Sequence, residues 1–368
     1  MRILRSYFLK EFIGPLFLSL GVISFVMVFM GNLNRFADLV INKGVDPLSV
    51  LKLFLLMAPY IITYALPIAV LIAVLISLGR LSSDNEIIAI RASGINIFRL
   101  IAPLSILGII LSLTLVLFND HAASYAHYAY RKTLFEIGIK NPTAAFEEGV
   151  FINSFQKYIL FIYRVDQKRN KIYNVRIYEP QGPNKPTRTI IAKSGEFISD
   201  PVKNTVKLKL VDGTSDEPDP ENPTNFYKLN FKTYFMNLNL YGAQERKKVD
   251  KKPRDMTINE LREGISKLKK EGIDPTPLII TMNEKITLAF SPIVFILLGA
   301  PLAIITRRKE KSINIGLAVL IFVVYYPLLI GCEALGIQGI INPYIAMWLP
   351  NMIFGTIGLV LTYKLCAS

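Results

Sequence analysis

Long uncharged runs alternate with short charged stretches along this chain. Six runs reach the ~20 residues that a helix needs to cross hydrocarbon: Phe12–Asn34, Leu53–Gly79, Leu100–Asn119, Ile286–Thr306, Ser312–Cys332 and Ala334–Tyr363. Within the last run, Gly336–Pro343 carries turn residues, so the sixth span is expected to start near Tyr344. The third run is expected to continue as a helix into solvent through Asp120–Lys132. The apolar run after the N-terminal MRILRSYFLKEF is too long for the core of a signal peptide and lacks a small-residue cleavage site, which predicts a retained first span.

The pattern changes after residue 140. Segments Tyr158–Val165, Lys171–Tyr178, Thr187–Ala192, Thr205–Val211 and Tyr227–Leu240 are rich in β-branched and aromatic residues. Turn-forming clusters separate them, including the acidic stretch Asp212–Pro223. Val206, Leu208 and Leu210 alternate with Lys207 and Lys209, the period of a half-buried strand. Short strands without intervening helices predict an all-β sandwich or jellyroll, whose interior is either filled by side chains or open to an apolar ligand. Thr257 and Glu260 then form a capping box. The helix it opens has Leu261, Ile265 and Leu268 at helical spacing and Gly272 at its end. It is read as a connecting helix or as one lying on an anionic membrane surface.

Composition agrees with a membrane protein. Of the 368 residues, 52% are hydrophobic, and the mean hydropathy is +0.39. The net charge of +14 reads as a topology signal and as contact with anionic lipid, because no nucleic-acid-binding motif accompanies it. Arg2, Arg5, Lys10, Arg80, Arg91, Arg99, Arg307, Arg308, Lys309, Lys311 and Lys364 flank the spans on one side. The opposite short loops carry only Arg35, Lys43 and Lys52. The positive-inside rule puts both termini in the cytoplasm and residues ~120–285 outside. The fold class expected is an α-helical membrane protein with six transmembrane helices and an inserted extracytoplasmic all-β, jellyroll-like domain. The division is 1–140, 141–255 and 256–368, with a short cytoplasmic helix near 82–94.

Catalytic motifs are absent from the sequence. There is no GxxxxGK[ST], GxSxG, HExxH or paired CxxC. The two cysteines, Cys332 and Cys366, sit in or beside apolar runs, and the two histidines, His121 and His127, are six apart. No enzyme activity, metal or cofactor is expected. In the cytoplasmic stretch Gly79–Leu100, Ser82 or Ser83 is expected to cap a short helix with Asp84 and Glu86 in its first turn and Gly94 at its end. Such a helix either covers the ends of the spans or docks a cytoplasmic partner. Gly14 and Pro15 would loosen the first span locally.

The stretches GRLSSDNEIIAIRASGIN (Gly79–Asn96), MTINELREGISKLKKEGID (Met256–Asp274) and PLAIITRRKEKSINIGLAVLIFVVYYPLLIGCEALG (Pro301–Gly336), with three spans on each side of a β-domain, resemble the YjgP/YjgQ family, the LptF and LptG permeases of lipopolysaccharide export. The resemblance covers essentially the whole chain and leans to the LptF branch through Asp84-Asn85-Glu86, with the choice between LptF and LptG left open. It implies an ABC-transporter permease subunit of the inner membrane with several partners. These are a second permease of LptF/LptG type, a cytoplasmic ATPase dimer of LptB type, a periplasmic bridge protein of LptC type and lipopolysaccharide itself, and no nucleic acid. It places ATPase coupling on the 82–94 segment at Glu86, flanked by Asp84, Arg91 and Gly94, and a lateral opening beside Gly14 and Pro15. Arg35, Lys43 and Lys52 are candidate contacts to lipid phosphate or sugar, or else interfacial anchors. Val206, Leu208 and Leu210 are candidates for an acyl-chain route, or else a packed core. The alternatives are another lipid or lipoprotein export permease, and a membrane sensor or scaffold with a ligand-binding β-domain.

Overall fold

Inside hydrocarbon no water is available to backbone N–H and C=O groups, so an apolar run must close its hydrogen bonds within itself, as a helix does. The computed structural model describes residues 2–41, 44–140, 149, 151–155, 158–166, 171–180, 187–200, 205–218, 226–238, 251–306 and 311–367. The order is α1 (Arg2–Ile41), α2 (Pro47–Ser83), α3 (Glu86–Ala92), α4 (Ile97–Phe118), a π-helical turn (Asn119–Ala123) and α5 (Ser124–Lys140). Six strands follow: β1 (Phe151–Phe155), β2 (Tyr158–Asp166), β3 (Lys171–Glu179), β4 (Arg188–Asp200), β5 (Thr205–Pro218) and β6 (Phe226–Leu238). After a 3-10 turn (Pro253–Asp255) come α6 (Ile258–Lys270), α7 (Thr276–Thr306), α8 (Lys311–Ile337), α9 (Pro343–Ala346) and α10 (Leu349–Ala367). Two compact units result: Met1–Gly31 with Leu56–Tyr128 and Lys251–Ser368, and Asn32–Leu55 with Ala129–Asp250.

Five helical runs are long and apolar enough to cross a membrane, in α1, α2, α4–α5, α7 and α8. The sixth apolar segment is divided. Asn342 caps the single turn of α9 through the Tyr344 N–H, and α10 then supplies a shorter apolar helix from Leu349 to Leu365. Two expected boundaries move. α7 begins at Thr276, ten residues before Ile286, so Glu284 and Lys285 lie inside it. α8 runs through Glu333 to Ile337. In both places the helix carries charged residues that the count of uncharged residues treated as its end.

In the first unit, α2 and α7 form the interior. Their apolar windows are 72% buried, against 22% in α1, 28% in α8 and 35% in the α4–α5 run. Small residues bring the helices together. A Cβ on Gly358 of α10 would come within 2.8 Å of the α7 backbone at Leu297 and Leu298, so the two helices touch backbone to backbone. Interhelical hydrogen bonds reinforce this pairing. Asn351 Nδ2 donates to Thr287 O at 2.8 Å, and Tyr325 of α8 donates to Asn351 Oδ1 at 2.8 Å. The residues before α6 are tied in as well. Lys285 donates to Ser124 Oγ and Met256 O, Asp120 accepts from Ile258 N, and His127 pairs with the fully buried Asp255.

The capping box of α6 forms as expected, with Thr257 Oγ1 accepting from Glu260 N and Glu260 accepting from Thr257 N. Its Leu261 and Ile265 are buried, and the helix packs on α7. Protein thus covers much of the apolar stripe, with Leu268 half-buried at its end.

In the second unit the strands pair in chain order, β1 to β6, all antiparallel. The jellyroll-like expectation thus takes the form of an antiparallel meander, with β1 added to the five expected strands. β5 extends through Pro218, so Asp212–Pro218 is strand and not the start of a turn. The acidic stretch Asp212–Pro223 reads as a turn-forming cluster, and its first seven residues instead continue β5. Asp212 instead holds φ 52° within the strand, and Gly213 follows where a Cβ would fall 2.4 Å from Ile191 O.

The same break runs through five strands, from β2 to β6. Tyr163, Asn174, Lys193, Asp212 and Lys232 form a row absent from the ladders, although their neighbours pair on both sides. At this row the buried positions of β3 and β4 step by three, from Ile172 to Val175 and from Ala192 to Gly195. Asn174 (φ 52°) and Asp212 take the left-handed conformation there, which Asn and Asp tolerate. This crease keeps the apolar side chains of both halves on one face, where they form a single core around Leu160, Ile162, Val175, Ile177, Leu208 and Leu210.

Two outcomes are expected. Asn174→Val, a β-branched residue forced into the left-handed region, destabilises the sheet by about 1–2 kcal/mol, and Asn174→Gly does not. Denaturant midpoints followed by protease cleavage within 141–255 compare the two. At α6, a hydrogen bond from Lys251 and one from the Thr257 N–H hold the Glu260 carboxyl below its ordinary value of 4.5. Because the folded value is depressed, its stabilisation is present above the unfolded value and is lost as pH falls through the folded one. Both side chains are about 40% exposed, so screening keeps it to a few tenths of a kcal/mol, roughly. Thr257→Ala costs about 1 kcal/mol. Glu260→Gln removes the acid-side loss. Amide exchange of α6 between pH 3 and 6 reads both.

Candidate functional site

The segment between α2 and α4 builds a short projecting helix. α2 runs on to Ser83, so neither Ser82 nor Ser83 caps α3. Ser82 Oγ donates to Ile304 O at the end of α7, and Ser83 Oγ donates to Arg80 O. Asp84 and Asn85 make the turn, and Asn85 sits at the cap position with φ 61° and no side-chain cap bond. α3 therefore covers Glu86–Ala92, seven residues within the expected 82–94 segment. Gly94 ends it as expected. Its φ of +77° lets its N–H reach Arg91 O while Ile95 N reaches Ile90 O.

Ile87 anchors α3 in the core of the helical unit, while Ile88, Ala89 and Asp84 are exposed. Glu86 is held from α1. Tyr7 Oη lies 3.2 and 3.1 Å from its two carboxylate oxygens. Arg80 Nη2 donates to Tyr7 Oη at 3.4 Å, and Arg80 Nη1 pairs with Glu11 at 3.0 Å. Sequence reading singled out Glu86 and missed Tyr7 and Glu11. Their spacing of four places them on one face of α1, but only the fold brings that face to α3.

On α1, Gly14 is exposed and nothing lies within 4 Å of where its Cβ would be. Pro15 leaves the Glu11 carbonyl without a helix partner. Four residues on, Ser19 Oγ lies 2.7 Å from Pro15 O and 3.1 Å from Ala69 O of α2, which holds α1 on the core just past the proline. Phe8, Phe12 and Leu16 face inward, whereas Ile13, Phe17, Leu18, Val22 and Phe25 are exposed.

A second polar group sits between α2, α7 and α8, and none of its residues stood out in the sequence. Tyr64 donates to the buried Glu284 at 3.1 Å, Tyr60 and Tyr64 are 3.2 Å apart, and Tyr326 of α8 donates to Tyr64 O at 3.2 Å. Arg254 lines the same cavity of about 30 Å³, room for a water or two. Burial opposes the Arg254 charge, but Glu284 and the neighbouring tyrosines outweigh it and hold the guanidinium above its ordinary value. Tyr64 of α2 and Arg254 of the 3-10 turn thereby act on the one carboxylate of α7. Among the described residues, no three His, Cys, Asp or Glu side chains converge as a metal site would require.

The remaining candidates are dispersed. Lys52 is exposed on α2 just past its start, which Asp46 caps through Ser49 N. Arg35 belongs to α1 and Val206 to β5, with side chains outside the described residues, and Lys43 lies outside them altogether. Leu208 and Leu210 are fully buried in the sheet core, packed among other side chains.

Comparison with known proteins gives these features a context. Residues 6–364 match the family described as lipopolysaccharide export system permease LptF/LptG. The chain is 22% identical over 345 residues to the lipopolysaccharide export system permease protein LptF of Escherichia coli (strain K12), covering 94% of this chain and 90% of that protein. The LptF of Shigella flexneri matches to the same extent. Apolar helices, an antiparallel sheet inserted between them in sequence, and a family match over nearly the whole length lead to one conclusion: the chain belongs to the LptF/LptG family and is a multi-pass inner-membrane permease subunit of lipopolysaccharide export.

Proposed function

We propose that this subunit pairs with a second LptF/LptG-type permease over a cytoplasmic ATPase dimer of LptB type, extracts lipopolysaccharide from the inner membrane and passes it to a periplasmic bridge of LptC type. Both termini are then cytoplasmic and the β-domain periplasmic, in keeping with the lysines and arginines that flank one set of span ends. The observation that carries this reading is α3. It is a short helix fixed in the core by Ile87, with Ile90 half-buried beside it, Ile88, Ala89 and Ala92 exposed, and an acidic first residue. A subunit without a nucleotide-binding motif needs such an element to receive mechanical work from an ATPase.

The exposed apolar faces of α1 and α8 suit contact with lipid or with the partner permease, and Gly14 and Pro15 lie on the α1 side of that surface. Arg35, Lys43 and Lys52 supply cations for phosphate or inner-core sugar beside α1 and α2. Leu208 and Leu210 are enclosed, so an acyl chain passing along that face would require the sheet to open.

Glu86→Lys is expected to abolish co-purification of the ATPase from native membranes in mild detergent, while wild type brings down both the ATPase and lipopolysaccharide. A wild-type preparation without any ATPase would refute the reading. Neutralising Arg35 and Lys43 together is expected to lower export several-fold without reducing membrane insertion. Unchanged export would remove them from the lipid path.

A further inference from the structure

We infer that Tyr7 is a positioning residue for ATPase coupling: its hydroxyl ties the Glu86 carboxylate of α3 to α1, so that movement of α3 is delivered to α1. This inference rests on the proposed coupling role of Glu86 and adds the route by which that role reaches the membrane. Four observations carry it. Tyr7 Oη lies within 3.2 Å of both Glu86 oxygens, so α1 grips the end of the carboxylate and not merely the surface of α3. Glu11, one turn further along α1, binds Arg80 at the end of α2, so among the described residues Tyr7 is the polar link from α1 to α3. Arg80 also donates to Tyr7 Oη, orienting the hydroxyl so that its own proton points at Glu86.

The fourth observation is charge. Among the described residues the cluster holds one guanidinium, Arg80, and two carboxylates, Glu11 and Glu86, which leaves it net negative. A cation on the ATPase can pair with Glu86 without displacing Tyr7, because a carboxylate accepts several hydrogen bonds. Tyr7 then fixes the direction in which Glu86 is presented and makes α1 a direct recipient of the load. α1 is one unbroken helix from Arg2 to Ile41, held on α2 again at Ser19, and its outward face is apolar and exposed. A load at Tyr7 therefore acts on the cytoplasmic end of a helix with a wide lipid- or partner-facing surface.

The test uses the complete transporter in proteoliposomes and reads lipopolysaccharide released per ATP hydrolysed, a ratio independent of how much complex assembles. Wild type, Tyr7→Phe, Glu86→Gln and the double variant are compared. Tyr7→Phe is expected to lower the ratio about three- to tenfold, as the net loss of one solvent-exposed hydrogen bond would. In the Glu86→Gln background it is expected to have no further effect, because the two residues act through one contact. A wild-type ratio for Tyr7→Phe with an impaired Glu86→Gln overturns the inference and leaves the coupling role of Glu86 intact. Effects that multiply in the double variant overturn it as well. A wild-type ratio for Glu86→Gln overturns both.

Discussion

The helical unit depends on the close approach of helices around α7. In an apolar solvent the hydrophobic effect does not press helices together, so association rests on packing and on interhelical hydrogen bonds. α7 has both. Gly358 admits α10 to backbone contact, Gly299 lies under Leu71 and Val74 of α2, and Gly108 of α4 sits against Ile293 and Ile296. Asn351, Tyr325 and Thr287 then lock α7, α8 and α10 at one level. The more exposed α1, α4 and α8 are free to present apolar faces outward because α2 and α7 have closed the interior.

Both ends of this interior finish in polar clusters that reach beyond the span. On one side, Lys285 and Asn119 gather the π-helical turn, Ser124 and the approach to α6, while Glu284 collects Tyr64 and Arg254. A carboxylate and an ammonium adjacent on one buried helix are costly unless satisfied, and here each finds partners on other elements. On the other side, Tyr7, Glu11, Arg80 and Glu86 join three helix ends. Clusters of this kind make a helix end into a fixed point, which is what a permease needs if work applied at α3 is to move a helix and not simply bend a loop.

The β-domain meets a different demand. Among the described residues one sheet buries an apolar face of its own. The crease through Asn174 and Asp212 does this by stepping the alternation at one row in every strand from β2 to β6. The cost of two left-handed residues is small because Asn and Asp are the side chains that tolerate it.

The division between helices and strands was legible in the sequence because solvent dictates it: hydrocarbon admits only self-bonded apolar runs, and alternation at Leu208 and Leu210 marks a half-buried strand. The capping box at Thr257 and the stop at Gly94 were readable for a similar reason, since each depends on residues a few positions apart. Tertiary structure decided the rest. Ser82 gave up its capping role because Ile304 O was within reach. Asp212-Gly213 became a crease because strands on both sides hold it in register. Glu284 and Lys285 entered α7 because partners 160 to 220 positions away in sequence satisfy them. Glu86 was visible as an acid on a short helix, but its grip by Tyr7 was not, because a hydrogen bond across 79 positions leaves no local periodicity to read.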